Sequence, residues 1–456
     1  MRKLSCVLLA ACAARSLMAQ QPTDLKTVID RLDRLEAQNR DLMEEIRALR
    51  LQLAAGQPTP ASESAPQTAD APSPPRPVAE RLDVAEQRIA DLDQSKVSSD
   101  HRLPVTLTGM LLFNTFLNGK GAGGADNPTV LPPTGGQASL SQASGGGTFR
   151  QSVIGLKVNG PDLVGGGKLT GAVYMDFFGG GTGLNQTVRL RVATLDATWK
   201  NTTLGLAFDK PIIAPREPDS LAQVGVSPLT AAGNLWLWQP QVRVEQRISL
   251  TEQAGLRAQF GVYQTSESGT GLATEFPDLA RARPGYQGRF EFWAKSGSRR
   301  IEIAPSFHLS STRVLGQSVP SRIFSIDWLI RPAARIDFTG TFFAGENTGV
   351  IGGLRQGVNV INGHAHAVGA VGGWGQFTFR ATSRASFNIY AGQEDDRNRD
   401  LNRGAIGKNQ GYGANIMYRL GSNILTSFEA SQIRTTYLGS GTRINPHYDL
   451  AFAYLF

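Results

Sequence analysis

The most informative absences are those of cysteine, histidine and long apolar segments. Both cysteines, Cys6 and Cys12, lie in the first nineteen residues, so a chain cleaved after Ala19 would have no disulfide and no cysteine-ligated metal. The five histidines fall in no recognisable catalytic motif, and His364 with His366 would need a third ligand to hold a metal ion. No apolar run reaches the ~18 residues of a transmembrane helix. We therefore expect no enzyme, no metal site, no cofactor and no helical membrane protein.

The first nineteen residues have the features of a secretory signal. Two basic residues precede a short apolar stretch over 4–14, and a cleavage position follows Ala19. The motif LAAC at 9–12 offers an alternative, a lipoprotein cleavage box that would leave Cys12 acylated as the first residue. Both routes export the chain from the cytoplasm, which argues against a nucleic-acid partner.

Charge is divided sharply along the sequence. Residues 20–103 hold 11 Lys and Arg against 15 Asp and Glu, a net charge of −4, whereas residues 104–456 hold 32 against 23, a net charge of +9. Of those 32 basic residues, 25 are arginine. A basic surface on an exported protein fits the handling of small anions better than nucleic-acid binding.

The region before residue 104 predicts a helical arm. Leucine and other apolar residues recur at alternating spacings of three and four, which is the heptad seam of a coiled coil. One seam residue is polar, Asn39, and we expect it to set the register. The heptads do not distinguish a dimer from a trimer, and a single amphipathic helix lying on a domain is the alternative. The residues that we expect to mediate oligomerisation are Leu32, Leu35, Asn39, Leu42, Ile46 and Leu49.

The helical period is interrupted by a Pro/Ala/Ser-rich segment, which is typical of an extended, semi-rigid linker. A second short seam follows it and stops near residue 103. The predicted domains are a signal peptide over 1–19, a coiled coil over 20–55, the linker over 56–77, a second short helix or coiled coil over 78–103, and a β-domain over 104–456.

From Val105 onward, apolar and polar residues alternate with the period of a β-strand. Sixteen such segments can be marked, separated by Gly, Pro, Asn and Ser. Their connections alternate between long ones, among them 312–321 and 435–446, and short ones. This is the pattern of an outer-membrane barrel with short periplasmic turns and long outside loops. We therefore predict an all-β transmembrane barrel of about 16 antiparallel strands, preceded by the α-helical coiled-coil arm.

In the last ten residues, HYDLAFAYLF, one face carries Tyr448, Leu450, Phe452, Tyr454 and Phe456, and the other carries Asp449, Ala451 and Ala453. We predict that this segment is the closing strand and pairs with the first one. Tyr454 and the terminal Phe456 resemble the C-terminal assembly signal of outer-membrane proteins, which implies the barrel-assembly machinery as a partner.

A barrel of this size is too wide for its own side chains to fill. The connection over 209–240 is Pro-rich, and we expect it to fold inward and narrow the channel, with an ordinary surface loop as the alternative. Polar faces of neighbouring strands carry arginines that could orient carboxylates or phosphates, or could merely pair with acidic neighbours. The candidate pore-lining residues are Arg189, Arg191, Arg243, Glu245, Arg247, Arg257, Arg289 and Glu291, and those of the loop are Pro211, Arg216, Asp219, Trp236 and Trp238.

The stretch from Leu204 to Arg243, with the motif WQPQVRV over 238–244, resembles DcaP-like porins, which are trimeric outer-membrane channels for dicarboxylates and related anions. In that family a comparable loop ends in a similar Gln-Pro-Gln motif before an Arg-bearing strand, and a periplasmic coiled coil precedes the barrel. Outside the loop region the similarity is one of pattern. The resemblance implies a homotrimer and an anionic, carboxylate-type solute.

Together these features predict an outer-membrane porin for small hydrophilic anions, with its arm in the periplasm. Expected partners are two further copies of the chain, outer-membrane lipid including lipopolysaccharide, and peptidoglycan through the arm. The alternative function is structural: the arm would tether the outer membrane to the cell wall, and the barrel would serve only as an anchor.

Overall fold

A computed structural model describes residues 105–122, 125–133, 142–180, 186–264, 284–354 and 356–456. The predicted signal peptide, coiled coil, linker and second helical segment lie outside these residues. In the part that is described, no helix is long and apolar enough to cross a membrane.

Seventeen strands form one antiparallel sheet, and its edges meet to close a barrel. The last strand pairs with the first, with Met110 opposite Leu455 and Asn118 opposite His447. Backbone hydrogen bonds of 2.8 and 3.1 Å join Gly109 to Phe456 in both directions. The predicted closure by HYDLAFAYLF is confirmed.

The strands are numbered in chain order, and β2 and β3 together occupy one strand position in the barrel wall. β2 and β3 both pair with β1, on successive parts of its length, so the wall has sixteen strands as predicted. The barrel strands are β1 (Val105–Asn118), β2 (Ser144–Thr148), β3 (Val153–Leu163), β4 (Gly167–Asp176), β5 (Arg189–Thr198), β6 (Thr202–Asp209), β7 (Gln239–Ser249), β8 (Ala254–Gln264), β9 (Pro284–Ser296), β10 (Arg299–Val314), β11 (Gln317–Ala333), β12 (Ile336–Glu346), β15 (Gly369–Arg380), β16 (Ala385–Asp396), β17 (Ile406–Arg419), β18 (Ile424–Tyr437) and β19 (Gly441–Leu455).

Between β12 and β15 the chain forms a 3-10 turn, Thr348–Ile351, and a separate hairpin of β13 (Val358–Ile361) and β14 (His364–Ala367). His366 contacts the backbone carbonyl of Asp400 at 3.2 Å. Neither histidine belongs to a metal-binding cluster of His, Cys, Asp and Glu within the described ranges.

Side-chain alternation separates an apolar outer face from a polar inner face. On β19, Tyr448, Leu450 and Phe452 are exposed, whereas Asp449 and Ala451 on the opposite face are buried. The same holds for β9, where Phe290 and Phe292 point out and Arg289 and Glu291 point in. The aromatic rows therefore lie on the outside of the barrel, and the polar rows enclose its lumen.

Two connections that the sequence predicted to be long are tight turns. The segment expected as a loop over 312–321 is the end of a long hairpin, in which Val314 pairs with Gln317. Leu315 and Gly316 both have positive φ, 52° and 74°, which is the geometry of a two-residue hairpin turn that follows the twist of the strands. The segment over 435–446 is similar, because β18 continues to Tyr437 and β19 begins at Gly441. In both cases the outward residues beyond the apolar belt are mostly polar, so the sequence predicts a loop where the chain continues as a strand.

Candidate functional site in the barrel lumen

The residues between β6 and β7, 210–238, lie inside the barrel, and we call them the inner loop. The Asn114 side chain on β1 donates to the carbonyl of Leu221 at 2.8 Å. The Ser325 hydroxyl on β11 donates to the carbonyl of Ile213 at 3.0 Å. β1 and β11 stand on opposite sides of a sixteen-strand wall. A single loop that contacts both must cross the lumen.

The first part of the inner loop packs on β8, β11 and β12. The backbone N–H of Ile212 donates to the Tyr263 hydroxyl at 3.0 Å, and Ile213 belongs to a buried apolar cluster that includes Phe343. Pro211 is buried and begins a turn, in which Ala214 N–H donates to the Pro211 carbonyl at 3.1 Å. This apolar contact fixes the entry of the loop into the lumen.

The middle of the inner loop crosses to β15, β17 and β18. The Asp219 backbone N–H and side chain both bond Gln376, at 2.8 and 2.7 Å. The Asn415 amide donates to the Asp219 carbonyl at 2.8 Å, and the Ser220 hydroxyl donates to Glu429 at 2.6 Å. A little further along the loop, the side-chain oxygen of Gln151 accepts hydrogen bonds from the backbone N–H groups of residues 224 and 225, both at 2.8 Å.

The tip of the inner loop contacts the wall where the wall has glycine. An added Cβ at Gly392 on β16 would lie 2.5 Å from the Ala232 carbonyl and 3.0 Å from the Leu229 side chain. Gly233 has φ +101°, and its Cβ would lie 2.1 Å from the Gly373 carbonyl oxygen. Glycine is required on both sides of this contact because any larger residue would separate the loop from the strands.

The loop returns to the wall through two tryptophans and two arginines. The rings of Trp236 and Trp238 are 4.4 Å apart. The guanidinium groups of Arg189 and Arg191 lie 4.8 and 4.9 Å from the Trp238 ring, the distance of a cation–π contact. Both arginines pair with Asp176, at 2.6 and 2.8 Å, and both donate to loop carbonyls, at residues 225 and 224.

Arg216 fixes the loop to a charged cluster on β9, β10 and β11. Its Nε donates to Asp327 at 2.8 Å, and its Nη2 donates to Glu302 at 2.6 Å. Arg289, whose side chain is 1% exposed, binds the same Asp327 at 2.8 Å and Glu291 at 2.6 Å. Two arginines thus share one buried carboxylate, and one of the two comes from the inner loop.

Lys210 and Glu217 form an ion pair within the loop, with Nζ 2.6 Å from Oε1. Removal from water raises the pKa of the Glu217 carboxyl. The Lys210 ammonium, the Ser227 hydroxyl and the Arg191 guanidinium together lower it by more, so the pKa lies below its usual range. Glu217 is therefore ionised at neutral pH.

Each arginine predicted to line the pore is paired with a carboxylate. Besides the pairs already given, Arg243 binds Asp209 at 2.9 Å and Arg247 binds Glu245 at 2.7 Å. Arg257 binds Glu291 at 2.5 Å. The sequence left open whether these arginines face solutes or stiffen the wall, and the geometry shows that pairing is part of their role.

The two members of these pairs differ in their access to water. Side-chain exposure is 64% for Arg247 against 14% for Glu245, and 28% for Arg257 against 4% for Glu291. On the next strand Arg300 is 53% exposed and its partner Glu302 is 6% exposed. The carboxylates lie against the wall, and the guanidinium groups cover them on the side of the lumen water.

A cavity of about 420 Å³ lies at the short-turn end of β7 to β10. The Arg247, Arg257 and Arg300 side chains line it, together with Trp293 and Lys295. Sequence periodicity predicts Arg247 and Arg257 in the lumen but not Arg300, which is the second residue of β10. Asp176 and Asp327 were also missed, because their arginine partners lie on other strands. Glu302 was missed together with Arg300, its partner two residues away on the same strand.

Comparison with known proteins supports the barrel. No family model and no curated protein matches the sequence. Among solved structures, the outer-membrane channel DcaP of Acinetobacter baumannii aligns with a TM-score of 0.60 at 15% identity, over 77% of this chain and 97% of that one. An anion-selective porin from Comamonas acidovorans aligns with a TM-score of 0.52 at 12% identity, over 77% and 99%. OprB of Pseudomonas putida aligns with a TM-score of 0.50 at 10% identity, over 82% and 97%.

The class that these observations define is a closed sixteen-strand antiparallel barrel. At identities this low the likeness is one of fold, and the fold resembles that of DcaP and of the two porins.

Proposed function

We propose that this chain is an outer-membrane porin through which small hydrophilic anions, of the carboxylate type, diffuse passively. The single observation that carries the proposal is the charged lumen inside an apolar outer face. An outward belt of Phe, Leu and Tyr suits hydrocarbon, and a charged interior suits water. A barrel whose polar rows were exposed to solvent and whose aromatic rows were buried would have argued for a soluble protein.

Anion preference follows from the unequal exposure within the ion pairs. A solute in the lumen meets Arg247, Arg257 and Arg300 before it meets the carboxylates behind them. Guanidinium groups present fixed donor pairs that match carboxylate and phosphate oxygens. Because the pairs offset much of the charge, the preference should be moderate, with weak binding at several points along the path.

The inner loop is the proposed constriction. Hydrogen bonds and apolar contacts attach it at β1, β8, β11, β15, β17 and β18, so it reduces the free cross-section of the lumen and is held there. Trp236 and Trp238 fix its exit, and Asp219, an exposed residue of the loop, faces the remaining water path.

The experiment is reconstitution of the full mature chain in planar bilayers with a salt gradient. We expect channel openings whose reversal potential shows anion preference, and a smaller preference in an Arg247→Gln, Arg300→Gln double variant. Arg322→Gln is the matched control, because Arg322 is an arginine on the outer face of β11. Arg289→Ala is a poor probe, since that buried side chain holds Asp327 and Glu291 in place. A folded barrel without conductance would refute the porin and favour the envelope tether.

We further propose that the chain is a homotrimer whose arm lies in the periplasm, where it could reach peptidoglycan. The heptad seam over 20–55 supports association. Mass measurement in detergent should give three chains for the mature protein and a smaller trimer fraction for a variant with Leu35 and Leu42 replaced by serine. Equal trimer fractions would show that the barrel alone sets the assembly.

A further inference from the structure

The outer face of the barrel has a groove over β15 and β16. Gly373 and Gly375 on β15, and Ala391 on β16, face outward in neighbouring register positions, with Gly375 directly opposite Ala391. Two adjoining cavities of about 340 Å³ each meet there, and both are lined by Gly373, Ala391 and Gln393. The small residues form the floor, so an elongated apolar group could lie against the backbone of the wall.

The two sides of the groove differ in chemistry. On the β11 and β12 side the lining is apolar, from Trp328 and Phe342. On the β17 and β18 side, toward the long-loop end of the strands, the lining is Gln410, Tyr412 and Arg434. The groove is therefore amphipathic, with hydrocarbon-compatible walls at one side and hydrogen-bond donors at the other.

Arg434 is held in position for an external anion. Its Nε donates to Gln432 at 2.7 Å, and its Nη2 donates to the Tyr412 hydroxyl at 3.0 Å. Its guanidinium carbon lies 5.4 Å from the Tyr412 ring centroid. No carboxylate pairs with it in the part of the chain that the structure describes, whereas the outward Arg322 faces Glu346 at 3.8 Å.

An uncompensated guanidinium on a lipid-facing wall is costly unless an anion meets it. The neighbouring cation, Lys408, is already paired with Asp395 at 2.5 Å. The groove thus combines one unpaired positive charge, several amide groups that can bond sugar hydroxyls, and a slot for an acyl chain.

We propose that this groove binds a phosphorylated glycolipid of the outer leaflet, with phosphate on Arg434 and an acyl chain over Gly373, Gly375 and Ala391. The inference rests on the proposed outer-membrane location but not on solute transport. A second copy of the chain is the weaker occupant, because it would have to bring an acidic group to Arg434 across a surface of glycine and alanine.

The test measures binding of purified lipopolysaccharide to the full mature protein in detergent, by native mass spectrometry and by the shift in melting temperature. Two variants address the two parts of the site: Arg434→Gln removes the anion partner, and Ala391→Leu fills the slot. Arg322→Gln is the matched control for loss of an outward arginine. Heat-modifiable gel mobility shows whether each variant keeps its barrel.

For Arg434→Gln we expect about tenfold weaker lipopolysaccharide binding, which corresponds to about 1.4 kcal/mol, and for Ala391→Leu a loss of similar size. The Arg322→Gln control should bind like the wild type. Phosphatidylglycerol and inorganic phosphate, tested separately, should stabilise the protein much less than lipopolysaccharide.

Equal binding by wild type and both variants would overturn the proposal, and so would equal stabilisation by inorganic phosphate or by phosphatidylglycerol. A change in the mass of the assembly with Arg434→Gln, without a change in lipid binding, would show that a second copy occupies the groove. Conductance measured in parallel distinguishes failure of the glycolipid proposal from failure of the porin proposal, because none of the substituted side chains lies in the lumen.

Discussion

Replacing Arg216 by methionine should release the inner loop from one side of the lumen. The side chain is 15% exposed and makes two short ion pairs, to Asp327 at 2.8 Å and Glu302 at 2.6 Å. Breaking a buried ion pair on one side usually costs about 3–5 kcal/mol, because a carboxylate is left without its partner. Here Arg289 still binds Asp327, and Arg300 still binds Glu302, so the expected loss is smaller, about 2–3 kcal/mol.

That loss acts on the attachment of the loop rather than on the barrel. A change of about 2.8 kcal/mol shifts an equilibrium about a hundredfold, so the detached loop should become populated enough to alter the current. Single-channel recording of Arg216→Met should show higher mean conductance and more open-channel noise than the wild type. The barrel itself should keep its heat-modifiable mobility, because the hydrogen bonds between strands are untouched.

Two further variants separate loss of attachment from loss of charge. Arg216→Lys keeps the positive charge but not the two-point contact, and should have an intermediate effect. The double variant Arg216→Met, Glu302→Gln also removes the carboxylate that has lost its partner. Its open-channel noise should lie between that of Arg216→Met and that of the wild type. If Arg216→Met records the same conductance and noise as the wild type in a folded barrel, the loop is held by its other contacts and this reasoning is wrong.

Three other changes test separate contacts. Gln151→Leu should leave two backbone N–H groups of the inner loop without an acceptor, a part-buried one at Val224 and a buried one at Gly225, with the buried group costing about 1–3 kcal/mol. Limited proteolysis should then cut within 210–238 faster than in the wild type; unchanged cleavage would contradict the anchor. Gly392→Val should push Leu229 and its neighbours off the wall, raising noise as Arg216→Met does, whereas Gly421→Val, at a turn with open space around it, should not. Deleting Phe456 removes both backbone hydrogen bonds to Gly109, and we expect a lower yield of assembled barrel in membrane fractions; normal yield would show that closure does not depend on the last residue.

Strand number and strand facing could be predicted from the sequence because both are local. Side chains on a strand alternate between two faces. A few residues are therefore enough to predict that Phe290 and Phe292 lie on one face and that Arg289 and Glu291 lie on the other. The closing strand was predicted for the same reason. Strand ends were less certain: beyond the apolar belt the outward residues become polar, and the hairpin at Leu315 then looks like a loop.

The course of the inner loop and the arginine pairs that join distant parts of the chain were decided by the tertiary structure. Arg216 binds Asp327, which is 111 residues away in the chain. The sequence around either residue does not predict this contact. Register between strands determines the pairs that cross strands, such as Arg257 with Glu291. The pairs of Arg247 with Glu245 and of Arg300 with Glu302 join residues two apart on one strand, so they follow from the alternation itself. The sequence by itself determined a barrel with arginines on its inner face, since alternation is a property of neighbouring residues. Which of those arginines remain accessible to a solute depends on contacts between distant strands and one long loop, and only the folded chain brings these together.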